Sequence, residues 1–100
     1  MPYRVEISSR ATEDLATIYG FIQSGESLAA ERWFAGLKRA ISSLSESPYL
    51  YAPIPGVPAL RQKLYGHKPY VYRIVFSIDA DRQAVMIRTI RHGARSPLRR

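Results

Sequence analysis

The sequence contains no cysteine. That absence removes disulfides, thiolate metal sites and cysteine nucleophiles together, and it suits a reducing compartment. Long apolar runs are missing as well. No stretch approaches the ~18 residues of a membrane span, and MPYRVEISSR lacks the apolar core of a secretory leader, so a cytoplasmic protein with no membrane partner is expected. Acids are scarce in one part of the chain: residues 59–100 hold only Asp79 and Asp81 against ten Lys and Arg, whereas residues 1–58 carry six acids against five bases. A carboxylate-held metal is therefore not expected in the basic part, and neither a glycine-rich phosphate loop nor a Ser-His-Asp arrangement occurs. No cofactor is expected.

What is present is an ordinary globular composition. With 46% apolar and 23% charged residues, 100 residues suffice for one modest core, and a single domain spanning 1–100 is expected. The net charge of +7 resides in the second part of the chain. That is the footprint of a surface that meets a polyanion or an acidic protein, unless it serves solubility alone.

Tyr3-Arg-Val-Glu-Ile7 alternates apolar and charged residues and predicts a half-buried strand. Ser8 or Ser9 then caps a helix with Glu13 and Asp14 in its first turn and Leu15, Ile18, Tyr19 and Ile22 on one face, stopping near Ser24-Gly25. Ser27 caps a second helix, whose stripe of Ala30, Trp33, Phe34, Leu37, Ala40, Ile41 and Leu44 ends before Pro48. The short connection favours an antiparallel helical hairpin. Residues 47–58, SPYLYAPIPGVP, read as an ordered but irregular loop.

Three antiparallel strands follow, Leu60 to about Gly66, Tyr70 to Ile78 and Ala84 to about His92, with turns at Gly66-His-Lys-Pro69 and Asp79-Ala-Asp-Arg82. In the middle strand Tyr70, Tyr72, Ile74, Phe76 and Ile78 share an apolar face suited to the helices, and Arg73 lies on the other. The last strand is mixed on both faces. Its register is open: one pairing sets Arg91 on the face of Arg73, and a shift of one residue opposes Arg73 with Arg88. The whole reads as an α+β fold: N-terminal strand, helical hairpin, then three antiparallel strands, with the helices on one face of the sheet.

The combination, in this order, of ATEDLATIYGFI, AAERWFAGLKRAISSLSESP, LRQKL, PYVYRIVFSID and VMIRTIRHGAR resembles the RelE/ParE superfamily of toxins from type II toxin–antitoxin modules. The resemblance spans nearly the whole chain. It implies a growth-inhibiting toxin that forms a hetero-oligomer with a cognate antitoxin. RelE-like members cleave messenger RNA on the ribosome without a metal, and ParE-like members poison DNA gyrase.

The leading expectation is ribosome-dependent messenger RNA cleavage; the alternatives are a non-enzymatic gyrase poison and an inactive antitoxin-binding paralogue. Metal-free cleavage needs a base, an acid and cations around one phosphate. The resemblance implies Arg61 and Lys63 as the paired bases of one strand, Arg73 as the central arginine, and Arg91 or Arg95 as the last-strand arginine. His92, with an ordinary pKa near ~6.5, is the natural proton-transfer group. Arg88 and Arg95 are expected to contact nucleic acid or another target. These guanidinium groups are expected to converge on a single patch. Two departures from the RelE-like pattern count against the nuclease: no tyrosine follows Tyr72, where those enzymes carry one after the last-strand arginine, and the turn between Lys63 and Arg73 is longer than in RelE-like chains.

Overall fold

Every predicted element forms, together with one short strand more. The computed structural model describes residues 2–22, 27–67 and 70–93. In chain order these are β1 (Arg4–Ile7), α1 (Ser9–Ile22), α2 (Leu28–Ser42), two single-turn 3-10 helices (Ser43–Ser45 and Pro48–Leu50), β2 (Pro53–Ile54), β3 (Val57–Tyr65), β4 (Tyr72–Asp79) and β5 (Ala84–His92). The expected helix stop at Ser24-Gly25 and the tail beyond Gly93 lie outside the described residues.

The strands make one sheet in the order β1-β5-β4-β3-β2. β1 runs parallel to β5 and takes an edge, whereas the other pairings are antiparallel. The irregular loop expected at 47–58 is more ordered than its prolines imply. Ile54 pairs with Val57 around Pro55-Gly56, and Gly56 has φ 82°, the left-handed value that the third residue of a type II turn requires.

Ser8 caps α1: its hydroxyl accepts from the Ala11 amide at 3.0 Å. Because α1 starts at Ser9, Glu13 and Asp14 fall in its second turn, not the first. Ser27 caps α2 in the same way, accepting from Ala30 N at 2.9 Å. The two helices run antiparallel, as the placement of Tyr19 opposite Phe34 (ring centroids 5.1 Å apart) and of Leu15 nearer Lys38 and Ile41 requires.

Both helices cover one face of the sheet. Ala11 and Ile18 of α1 and Leu37 and Ile41 of α2 pack with Leu44 onto Tyr72, Ile74, Phe76, Val85, Ile87 and Ile90. Trp33 stacks edge-on against both Tyr65 (5.2 Å) and Tyr72 (5.5 Å). Tyr70, expected in this core, is instead 52% exposed, because β4 starts two residues later.

β5 is longer than its edge partner β1, and α1 covers the remainder. The Ser8 hydroxyl donates to Arg88 O at 2.9 Å; one turn further, Asp14 Oδ2 accepts from Ile90 N at 2.9 Å and from the Thr89 hydroxyl at 2.7 Å. A carboxylate thus takes the place of a missing strand. Asp14→Ala leaves the Ile90 amide without its acceptor and should cost about 1–3 kcal/mol, with faster amide exchange at Ile90. Asp14→Asn, which keeps one acceptor oxygen, should recover part of both; unchanged exchange in Asp14→Ala would contradict this account.

Candidate functional site

The β4–β5 hairpin decides where the basic side chains go. Its turn is held by Asp79, whose carboxylate accepts from Arg82 N at 3.2 Å, and by Gln83, which sits at φ 49° and donates to Ala80 O at 3.2 Å. From there Asp79 pairs with Ala84, Ile78 with Val85, Ser77 with Met86 and Phe76 with Ile87. A bulge follows: Val75 pairs with Thr89, Ile74 with Ile90, Arg73 with Arg91 and Tyr72 with His92, leaving Arg88 as the extra residue. Of the two registers that the sequence leaves open, Arg73 opposite Arg91 is the one adopted.

Residues directly opposite each other share a face of the sheet, so these pairs sort the candidate residues. Arg73 and Arg91 lie half-buried on the open face, and the Arg73 guanidinium donates to Gly93 O at 3.3 Å. Arg88 joins them on that face: it is exposed, and its Nε donates to the Ser77 hydroxyl at 3.0 Å.

Arg61 and Lys63 go the other way. They stand opposite Phe76 and Ile74, hence on the helix-covered face. Arg61 Nη1 donates to Tyr51 O at 2.7 Å and its guanidinium lies over the Tyr49 ring at 5.1 Å. Lys63 Nζ donates to the Ser43 hydroxyl at 2.8 Å and lies 5.1 Å from the Tyr51 ring centre. His92 is also on the helix side, edge-on to Tyr72 at 5.1 Å, where it borders a cavity of about 270 Å³ with Asp14, Thr17 and Phe21.

The single patch expected from the sequence is therefore two groups, one on each face. Arg73 and Arg91 stand opposite each other, Arg88 shares their face but is turned to Ser77, Arg61 and Lys63 form a separate pair beside the 3-10 turns, and Arg95 lies outside the described residues. Among the described residues no three His, Asp or Glu side chains converge as metal ligands.

Two features of the open face were not anticipated. The bulge that adds Arg88 shows in the sequence only as a break in alternation, since Ile87 and Ile90 differ in parity yet are both buried. The other is an electrostatic division. At the β4–β5 turn end, Glu6 accepts from Arg4 (3.1 Å) and Arg82 (2.7 Å), and these bonds, the Arg4 bond first, hold its carboxyl below the usual range. The basic end lies further along the strands.

Residues 5–97 match the family model described as "ParE toxin of type II toxin-antitoxin system, parDE". No curated protein sequence matches the chain. Among solved structures, the toxin–antitoxin complex RelBE2 of Mycobacterium tuberculosis contains a chain of similar fold. It has TM-score 0.70 and 21% identity, over 92% of this chain and 99% of that one. The chromosomal ParDE system of P. aeruginosa gives TM-score 0.68 at 16% identity, over 90% and 95%. The intact RelBE complex of E. coli gives 0.62 at 17%, over 91% and 96%. At these identities the likeness concerns the fold.

Arg61→Ala should lower stability by about 1–3 kcal/mol in thermal unfolding, since it removes a half-buried charged hydrogen bond and a ring contact. A change within error would mean that the side chain is merely solvated. Glu6 supplies a pH signature. A carboxyl lowered by folding adds stability that is complete above the ordinary glutamate value of about 4.3 and is lost as the pH falls through the lowered value. Glu6→Gln should remove this acid-side dependence, read as a smaller drop in melting temperature between neutral and acidic pH.

Proposed function

Because the chain belongs to the ParE toxin family of type II toxin–antitoxin systems, we propose that it is a growth-inhibiting toxin, silenced by a cognate antitoxin, that poisons DNA gyrase by binding rather than cutting messenger RNA. One observation carries the choice between the mechanisms. Metal-free RNA cleavage requires cations and a proton-transfer group within reach of a single phosphate. Arg61, Lys63 and His92 face the helices, and Arg73 and Arg91 face away from them, with the thickness of the sheet between the two sets.

The helix-side set also has structural work. Arg61 and Lys63 tie β3 to Tyr51 and Ser43, and His92 packs on the buried Tyr72 ring. A surface that binds a protein–DNA machine needs no such convergence. It needs a charged surface, and the open face carries Arg73, Arg88 and Arg91.

The antitoxin follows from the family and from the company the fold keeps, since the similar chains of M. tuberculosis and E. coli were solved in toxin–antitoxin complexes. The purified chain should inhibit supercoiling by gyrase and trap cleaved DNA, while primer extension on translated messages in cells expressing it shows no cuts in codon register. Codon-register cuts with supercoiling unaffected would overturn this reading in favour of the ribosome-dependent nuclease.

A further inference from the structure

The sheet has two edges, and they are guarded unequally. β2 closes one with Pro53 and Ile54 and a register shift between them. Proline and irregular pairing keep a strand edge from accepting a further strand. β1 closes the other with Arg4–Ile7, in unbroken register and without proline. Its backbone turns to β5 at every second residue: the Arg4 amide donates to Gln83 O at 2.8 Å and the Ser8 amide to Ile87 O at 3.0 Å, so the odd-numbered amides point outward. Tyr3 spends its amide on Ser45 O at 2.8 Å. Among the described residues no backbone hydrogen bond beyond the β1–β5 ladder reaches Val5 or Ile7.

The side chains beside this edge suit a neighbouring strand. On the helix side Val5 and the exposed Ile7 border a cavity of about 270 Å³ with Leu15, Lys38, Ile41 and Ser42, and the Lys38 ammonium lies over the Phe34 ring, 5.6 Å from its centre. On the open face Arg4 and Glu6 alternate with them. These two are already paired within the chain at 3.1 Å, and Arg82 also meets Glu6 at 2.7 Å. Strand addition draws affinity from main-chain bonds and specificity from a pocket for alternate side chains.

The alternation of charge selects a second copy of the same chain. Two β1 strands running antiparallel about Val5 set Val5 against itself with reciprocal hydrogen bonds, and Arg4 of each copy against Glu6 of the other. Opposite charges that face each other across strands stabilise the pair. The next register that keeps the faces matched centres on Glu6 and opposes two carboxylates. We infer that β1 is a self-association edge, at which two copies of the chain join through antiparallel β1 strands into one continuous sheet with both helical layers on the same side. The contact is short, because Ser45 closes the edge at Tyr3, and association is correspondingly weak, with a Kd between about 1 μM and 1 mM. The inference concerns the free chain and is independent of the gyrase reading.

Sedimentation velocity of the full chain across that range should show a monomer–dimer equilibrium. The Val5 amide should exchange more slowly as the concentration rises, while the Tyr3 amide, bonded to Ser45 in either state, should not change. Val5→Pro removes only an outward N–H that the β1–β5 ladder does not use, and should weaken dimerisation about tenfold, since symmetry makes the loss two hydrogen bonds. Arg4→Glu and Glu6→Arg should each weaken self-association, yet a mixture of the two should form a heterodimer about tenfold tighter than either variant's own dimer. Arg32→Glu, the same change of charge at an exposed position of α2, should leave dimerisation as it was.

Should Glu6→Arg not fold, Val5→Pro and the exchange of the Val5 amide decide without it. A chain that stays monomeric at every concentration would overturn the proposal. So would a dimer that Val5→Pro leaves intact, since the contact would then lie elsewhere. Slower exchange at Val5 only when a different protein is bound would overturn it as well, by assigning the edge to that protein.

Discussion

The structure depends on β4 being able to face only one way. Tyr72, Ile74 and Phe76 alternate with Arg73, Val75 and Ser77, and the first set meets Leu37, Ile41 and Leu44 under the helices. Sliding the strand by one residue would carry the Arg73 guanidinium into that apolar layer, at a desolvation cost of several kcal/mol. The neighbouring strands must accommodate this. β5 does so with its bulge, which brings both Val85 and Ile87 on one side of Arg88 and Ile90 on the other into the same core. Without the extra residue one half of β5 would present its apolar side chains to solvent.

The same alternation sorts the cations. A strand cannot place neighbours of β4 on the open face and also have them opposite Ile74 or Phe76, so Arg61 and Lys63 are excluded from the company of Arg73 by pairing alone. Their positive charge goes to carbonyl, hydroxyl and ring partners at the rim of the core. What remains on the open face is a group of arginines on a rigid hairpin. Such a surface attracts anions through charge, without providing the mixture of donors and acceptors that proton transfer requires.

Much of this was legible in the residues. The apolar stripe of α2, the Ser27 cap, the β4 alternation and the limits of β5 all follow from periods and caps that local physics dictates. The membership of the RelE/ParE superfamily showed in the order of its segments. The division of the cations was harder to see, because the facing of β3 depends on its register with β4, which no local pattern in Leu60-Arg-Gln-Lys-Leu64 determines. The β5 bulge left a trace in its broken alternation, which reads equally as an ambiguous register. Pro55-Gly56 carried a turn signal that four prolines in twelve residues obscured. The part played by Asp14 had no signal, since a carboxylate in the second turn of a helix is ordinary until a strand edge is found beside it.

The parallel pairing of β1 with β5 joins Arg4 to Ala84 and Ile7 to Ile87. A nascent chain therefore holds its first strand without a neighbour until nearly the last has been made, an interval on the order of several seconds at ordinary rates of synthesis. Until then Asp14 also lacks the strand edge that it covers, and the arginine hairpin has not emerged from the ribosome. A protein built in this order cannot close its sheet, or set the arginine-bearing hairpin against the rest of the fold, until residues 84–92 have been made.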